Sequence, residues 1–230
     1  MGNKGKTMKT IGILLAGSGV FDGSEIREAA LALMAIDKIL DGTSYDVVMM
    51  APAKEQYHVI NHFTGDIDDR PRDVLSESAR IARGLIRPLN ELDATDIDAL
   101  IIPGGFGVAK NLCQFAFDGV KGSVDPIVAD YLKEAHRLKR PIGAICIAPV
   151  LVAMSLKLNN LRVTVGDDKE VMKALESIGV QSEVKTVTEI CLDEENKIVS
   201  TPAYMYGDAK LHKIYEGIEK LVEVVVRSIP

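Results

Sequence analysis

The stretch that decides the fold is PIGAICIAPVLVAM, residues 141–154. Its first part is a short apolar run typical of a buried strand, and its last part is apolar enough for a buried helix. Cys146 lies at the turn between these two predicted elements. A nucleophile elbow has this arrangement, because the strand delivers the side chain to the carboxyl edge of a sheet. The helix behind it contributes free N–H groups and the positive end of its dipole.

A thiol at such a helix end loses its proton more easily, and the thiolate is the nucleophilic form. A buried cysteine is also a common core residue. From this segment alone, catalysis by Cys146 and simple packing of its side chain are equally good interpretations. The rest of the chain has to distinguish them.

Composition narrows the function classes. The chain has 230 residues, 47% of them hydrophobic and 26% charged, as in an ordinary globular protein. A net charge of −6, 5% aromatic residues and no Trp argue against nucleic acid or an anionic membrane as partner. The three cysteines, Cys113, Cys146 and Cys191, have no zinc-binding spacing, so we expect no metal site.

The ends of the chain and its apolar runs predict a location. Residues 1–8, MGNKGKTM, predict a disordered basic tail without a secretory signal. No apolar run reaches the roughly 18 residues that span a bilayer. Sparse, unpaired cysteines suit a reducing compartment. We therefore expect a cytoplasmic protein, with residues 9–230 forming a single domain.

Predicted strands and helices alternate along the chain. Such alternation predicts an α/β fold, with a mostly parallel sheet covered by helices on both faces. The segment TVTEICLDEENKIVST, 186–201, predicts a β-hairpin near the C-terminus. Ser24 is the expected N-cap of the first helix. Strands are predicted at 9–17, 45–52, 96–105, 141–146 and 161–165, and helices at 24–40, 73–86, 125–139 and 169–179, with a last helix near the C-terminus.

Three loops with polar or glycine-rich sequence are expected at the carboxyl edge of this sheet. They are AGSGVFDGSEIRE (16–28), PGGFGVAKNL (103–112) and the turn at Cys146. Backbone N–H groups of Gly104, Gly105 and Ile147 are candidates for an oxyanion hole. The alternative is that PGGFG is only a tight strand-to-helix turn that needs glycine.

Acidic residues follow the first strand. Glu25 lies at the start of the first predicted helix, where its carboxylate can reach the sheet edge and touch Cys146. Such a carboxyl would donate a hydrogen bond to the thiolate or move a proton during turnover. Glu28 is the competitor, one turn further on. The alternative for Glu25 is a solvent-facing residue that interacts with the helix dipole.

The order strand–loop–Glu, PGGFG, then strand–Cys–helix resembles the class I glutamine amidotransferase-like superfamily, in particular its PfpI-like branch. At finer grain, the chain is similar to the ElbB-type group, the enhancing-lycopene-biosynthesis proteins. The similarity extends over nearly the whole chain. The segments that carry it are GILLAGSGVFDGSEIREA, INHFTGD, ARIARG, DALIIPGGFGVAKNL, IGAICIAPVL and VSTPAYM.

This resemblance implies a flavodoxin-like three-layer sandwich, a homodimer and a small-molecule carbonyl substrate. Residues 9–230 would form one class I glutamine amidotransferase-like domain. The implied activity is that of a cofactor-independent, glyoxalase III-like lyase of the hydro-lyase class. Cys146 would form a hemithioacetal with glyoxal or a similar dicarbonyl, Glu25 would move a proton, and water would release the hydroxy acid.

One departure from the superfamily pattern favours a different function. Many members place a histidine in a strand end that here reads VTVGDD (163–168), with Gly166 or Asp167 at that position. A Cys-His-Glu triad for glutamine hydrolysis is therefore not expected. The alternative function is a non-catalytic or weakly catalytic redox sensor, in which Cys146 is the modified thiol.

Further side chains are candidates for the pocket wall. They are His62, in the YHVINHFTGD region, Asn111, which follows PGGFG, and Tyr204, in TPAYM. For each of them, ordinary packing or structural hydrogen bonding is the alternative. An isoprenoid pyrophosphate site is not indicated, because the chain has no Asp-rich magnesium motif and no phosphate loop.

Overall fold

The computed structural model describes residues 8–230, in which nine strands and seven α-helices alternate. The predicted basic tail lies outside the described residues except for Met8. The strands are β1 (Lys9–Leu14), β2 (Tyr45–Ala51), β3 (Arg87–Pro88), β4 (Ala99–Ile102), β5 (Ile142–Ile145), β6 (Arg162–Val163), β7 (Gln181–Ser182), β8 (Cys191–Asp193) and β9 (Ile198–Thr201). The helices are α1 (Ile26–Leu40), α2 (Val74–Ile81), α3 (Phe115–Asp118), α4 (Pro126–Arg137), α5 (Ala148–Leu156), α6 (Lys169–Glu176) and α7 (Leu211–Arg227).

The main sheet has seven strands in the order β3-β2-β1-β4-β5-β9-β8. All neighbours are parallel except β8 and β9, which form the predicted C-terminal hairpin. The predicted strand at 161–165 shortens to β6 and pairs with β7 in a separate two-stranded sheet. The mostly parallel flavodoxin-like sandwich predicted from the sequence is therefore confirmed.

Both faces of the sheet are buried, which explains its nearly continuous apolar strands. Successive residues of β4 pack on opposite sides, so that Leu100 and Ile102 contact one core while Ala99 and Ile101 contact the other. The first core includes α4 and α5, and the second includes α1 and α7. Each large apolar side chain buried in this way contributes about 1.5–3 kcal/mol to folding.

The chain reverses its direction across the sheet at β1, which has β2 on one side and β4 on the other. Ligands of such folds bind beyond the carboxyl ends of the strands at this reversal. The loops that follow β1, β4 and β5 meet there, together with the turn after β9. None of the helices described between residues 8 and 230 is both long and apolar enough to cross a membrane.

The N-cap of the first helix lies one residue later than predicted. Glu25 is its N-cap and accepts a hydrogen bond from the Glu28 N–H at 2.6 Å. Ser24 is not available as the cap, because its hydroxyl accepts a hydrogen bond from the Ala16 N–H at 2.8 Å. Glu25 therefore lies at the helix cap, and Glu28 lies in the first turn of the helix.

Candidate active site

Cys146 follows β5 directly and precedes α5, as the predicted elbow requires. Its φ of 61° is left-handed, a conformation that non-glycine residues rarely adopt. Its N–H donates to the Thr201 carbonyl at 2.9 Å, which ties the turn to β9. The side chain is buried, at 8% exposure, at the floor of an open cleft. A strained turn held in this way is typical of functional positions.

The carboxyl group in contact with this thiol belongs to Glu28. Glu28 is fully buried in the first turn of α1, and its side chain is hydrogen-bonded to Cys146. Its Oε2 accepts the Gly104 N–H at 2.8 Å, and its Oε1 accepts the Tyr204 N–H at 3.1 Å. One carboxyl group therefore joins α1, the loop after β4, the elbow and the turn after β9.

The expectation that Glu25 contacts the sulfur is wrong. Glu25 is half-buried at the wall of the cleft, where its carboxylate caps α1. Glu25 precedes the helix with extended backbone angles, and its carboxylate folds back onto the Glu28 N–H and not towards the sulfur. With Glu25 as cap, Glu28 takes the inward position.

Gly104 and Gly105, neighbours in the glycine-rich loop, have different roles. The Gly105 and Ile147 N–H groups are hydrogen-bonded to the Cys146 sulfur, in the place predicted for an oxyanion hole. The Gly104 N–H is not available for this role, because Glu28 accepts it. Gly104 is needed for close approach, since an added Cβ would lie 2.5 Å from Cys146 Cβ and 2.7 Å from Glu28 Oε2.

Burial dominates the electrostatics of the Cys146–Glu28 pair. Burial and then the nearby Glu25 charge raise the pKa of Glu28 from 4.5 to about 8, against the Tyr204 and Gly104 N–H groups. Burial and then the Glu28 charge raise the pKa of Cys146 well above its ordinary value, against the Gly105 and Ile147 N–H groups. Each group receives two backbone N–H bonds, and the lower pKa of Glu28 places the first negative charge of the pair mainly on its carboxylate. The pair therefore titrates as one unit, and a single proton can lie on either group.

The cleft above the thiol has a volume of about 380 Å³, room for a small ligand. Tyr204 lines it, as predicted, and its hydroxyl accepts a hydrogen bond from Arg27 at 3.2 Å. The wall is mainly apolar and aromatic. It consists of Val20, Glu25, Gly105, Phe106, Ala109, Phe115, Ala116, Cys146, Ile147, Asp168, Val171, Tyr204 and Met205.

Two predicted pocket residues are not among the cleft lining, and both support the loop after β1. Asn111 is buried, and its amide donates to the carbonyls of Ala16 and Asp22 at 2.9 and 2.8 Å. His62 accepts the Phe21 N–H at 3.2 Å and lies outside the cleft wall. Their polar groups hold backbone that would otherwise lack partners, which sequence pattern does not reveal.

Asp168 is the charged lining residue that sequence reasoning missed. It caps α6 by accepting the Glu170 and Val171 N–H groups at 3.1 and 3.0 Å. The signal was present, because an Asp directly before the amphipathic helix at 169–179 is a typical N-cap. No histidine is among the described residues that line the cleft. Between residues 8 and 230, no group of three or more His, Cys, Asp or Glu side chains is arranged to hold a metal ion.

Comparisons with known proteins agree with this fold. A sequence profile of the DJ-1/PfpI family matches residues 85–203. The rat protein named ES1 protein homolog, mitochondrial, is 42% identical over 94% of this chain and 82% of its own length. The structure of an isoprenoid biosynthesis protein with amidotransferase-like domain from Ehrlichia chaffeensis is 33% identical, with a TM-score of 0.88, over 96% of this chain and all of that chain.

Glyoxalase III from Candida albicans shares the fold at a TM-score of 0.59, over 97% of this chain and 98% of that chain, but at 13% identity. The match to the family profile supports the predicted PfpI-like branch, whereas the ElbB-type group stays a prediction. The predicted cytoplasmic location is contradicted, because similar proteins from rat, human and zebrafish are all named mitochondrial. The absence of a signal in residues 1–8 was too weak a basis for that prediction.

Titration of Glu28 should make the stability of the fold depend on pH. Because folding raises the pKa of Glu28 from 4.5 to about 8, its contribution is complete below 4.5 and is lost as pH rises towards 8. Glu28→Gln removes this titration. We expect the free energy of unfolding of the wild type, minus that of the variant, to fall by up to about 1.4 kcal/mol per pH unit in this window. Urea unfolding at several pH values measures this difference.

Glu195→Gln, an exposed change in the hairpin turn, is the control. A difference that stays flat for Glu28→Gln, or that falls equally for Glu195→Gln, would contradict the assigned burial of the Glu28 charge.

Proposed function

Because the chain belongs to the DJ-1/PfpI family, we propose that it converts glyoxal or a similar small dicarbonyl into a hydroxy acid, as an ElbB-type, cofactor-independent glyoxalase. The observation that carries the proposal is the Glu28 carboxyl hydrogen-bonded to the Cys146 thiol beneath an open cleft. The homodimer implied by the sequence resemblance is part of the same proposal.

The first step is addition to an aldehyde carbon. In its reactive form, the Cys146–Glu28 pair holds one proton and one negative charge. The thiolate Sγ bonds to the carbonyl carbon, and the C=O π-electrons move to the oxygen. The Gly105 and Ile147 N–H groups lie next to the sulfur to stabilise that oxygen, which takes the proton from Glu28.

The second step is an internal proton transfer. Glu28, now a carboxylate, removes the proton on the carbon bonded to sulfur and returns it to the neighbouring carbon through an enediol, while the hydroxyl proton of the hemithioacetal passes to the second oxygen. The electron pair of the broken C–H bond thereby ends in a new C–H bond, and the hemithioacetal becomes a thioester. Water then cleaves the thioester and releases the Cys146 thiol, so that glyoxal and one water give one glycolate and one proton without an external oxidant.

Cys146→Ala should abolish glyoxal turnover to background, because no other described cysteine lines the cleft. Glycolate formation, measured without glutathione and with a chelator present, tests this. Cys191→Ala is the matched control, because it removes another buried thiol from outside the cleft wall. Turnover that survives Cys146→Ala would end the proposal.

Substitution of Glu28 should lower the rate of turnover much more than substitution of Glu25. Glu28→Gln removes the proton carrier, and we expect turnover to fall by roughly 10²–10⁴-fold. Glu25→Gln keeps an oxygen acceptor for the Glu28 N–H, and we expect a loss of less than about tenfold, since no proton transfer is removed. In wild type, turnover should rise with pH towards about 8, as the doubly protonated pair loses its first proton.

Alkylation of the thiol provides a second measurement for the same variants. Glu28→Gln should speed iodoacetamide modification of Cys146 above pH 8, because the Glu28 charge that raises the pKa of the thiol is gone. Slower turnover with faster alkylation would distinguish proton transfer from loss of structure. An equal loss of turnover in both glutamate variants would contradict the assignment to Glu28.

A redox sensor is the second candidate, favoured by the lack of a histidine among the described residues of the cleft wall. Peroxide would convert the thiolate to a sulfenate, and a second peroxide would give a sulfinate, each with release of water. A protonated Glu28 and the Gly105 and Ile147 N–H groups would bond its oxygens. Mass spectrometry after mild peroxide should find oxidation at Cys146 before Cys113 and Cys191. Equal oxidation of all three would contradict a sensor.

A further inference from the structure

We propose that the cleft over Cys146 takes a carbonyl compound that carries a cationic group, such as an ammonium-bearing aldehyde or 2-oxoaldehyde. The proposal deepens the proposed function, on which its covalent step rests. The site itself is defined by the cavity and its thiol. The charges on its wall specify which carbonyl compounds enter.

Two charged residues line the cleft among the described residues, and both are acidic. Glu25 and Asp168 line the cavity from the starts of α1 and α6, and no Lys, Arg or His is among the lining residues that the structure describes. Both backbone bonds to Asp168 end on Oδ1, which leaves Oδ2 for a ligand. A cation in the cleft would neutralise this field, whereas an anion would be repelled by it.

Two basic residues lie behind the wall, and each already has an acceptor. Arg27 is exposed and donates to the Tyr204 hydroxyl at 3.2 Å. Lys110 donates to the Phe21 carbonyl at 2.9 Å, and its ammonium lies 5.3 Å from the Phe106 ring centroid. Neither lines the cavity. Both keep their charge, and that of Arg27 acts on Glu25. The preference for a cation therefore rests on Glu25 and Asp168, which line the cavity and are closer to a bound ligand than either basic group.

The rest of the wall suits an organic cation. Phe106 and Phe115 border the same cavity, together with apolar side chains such as Val20 and Met205. Aromatic faces attract ammonium groups through their quadrupoles, and apolar neighbours strengthen that attraction by excluding water. A cation could thus contact carboxylates and rings while its carbonyl carbon reaches Sγ. Addition then needs no further reactant, because the oxygen takes the proton of Glu28.

Charged thiol reagents test this field without requiring turnover. Methanethiosulfonates of similar size, with a trimethylammonium or a sulfonate end, transfer their charged group to Cys146. The cation-to-anion rate ratio at Cys146, divided by that at free 2-mercaptoethanol, should be at least about tenfold, equivalent to about 1.4 kcal/mol. It should fall in high salt, because mobile ions screen the charges.

Substitutions assign the effect to named residues. Glu25→Gln and Asp168→Asn should each lower the ratio several-fold, and both keep an oxygen for their capping bonds. Asp167→Asn is the matched control, because this exposed neighbour changes the net charge equally but does not line the cleft. Intact-mass analysis of the Cys146→Ala variant gives the background from other cysteines.

A ratio equal to that of the free thiol would overturn the proposal, as would an Asp167→Asn effect as large as that of Asp168→Asn. Protection gives a second readout, in which betaine aldehyde should slow modification by neutral methyl methanethiosulfonate more than glyoxylate does. Equal protection, or better protection by glyoxylate, would also overturn it. A raised ratio with no glyoxal turnover would instead refute the proposed glyoxalase and leave the cation preference standing.

Discussion

The buried Glu28 carboxyl is the contact on which the site depends. It accepts N–H groups from Gly104 and Tyr204 and is hydrogen-bonded to the Cys146 thiol, so that three loops are positioned by one side chain. Removing a buried acceptor would leave those donors unsatisfied, at a cost of about 1–3 kcal/mol each. The same burial raises its pKa to about 8. Burial of the Glu28 carboxyl therefore explains both its hydrogen bonds to the loops and its raised pKa.

The elbow could be predicted from sequence because its signal is local. A short apolar strand, Cys146 and an apolar helix follow one another within 141–154, and a parallel sheet brings that turn to its carboxyl edge. The choice between Glu25 and Glu28 was not local. It depended on the Ala16 N–H, which takes the Ser24 hydroxyl and so prevents Ser24 from capping α1. A tertiary hydrogen bond thus engages the hydroxyl that was expected to cap the helix, and Glu25 is the cap.

The surroundings of the site were less predictable for a similar reason. Residues 54–70 have no hydrophobic periodicity, and their position is set by hydrogen bonds to distant backbone, such as that from the Ile60 N–H to Asp22 at 2.7 Å. Asn111 is buried to satisfy two carbonyls, although its sequence position suggested a pocket wall. Asp168 shows the reverse case, since a capping residue also borders the cleft. For Asn111 and Asp168, the sequence shows that the side chain is polar. Whether that side chain supports the backbone or lines the cleft depends on tertiary packing.

The lack of an imidazole among the described residues of the cleft wall constrains any chemistry at Cys146. A surface histidine exchanges protons with water, whereas Glu28 is fully buried beneath the cleft. A substrate bound over Cys146 would further separate this carboxyl from solvent. A proton taken by Glu28 from one carbon would then be returned to the neighbouring carbon before it exchanged with water. In the proposed reaction this shielding applies to the transfer between the two carbons, whereas the final cleavage of the thioester takes its water from the open cleft.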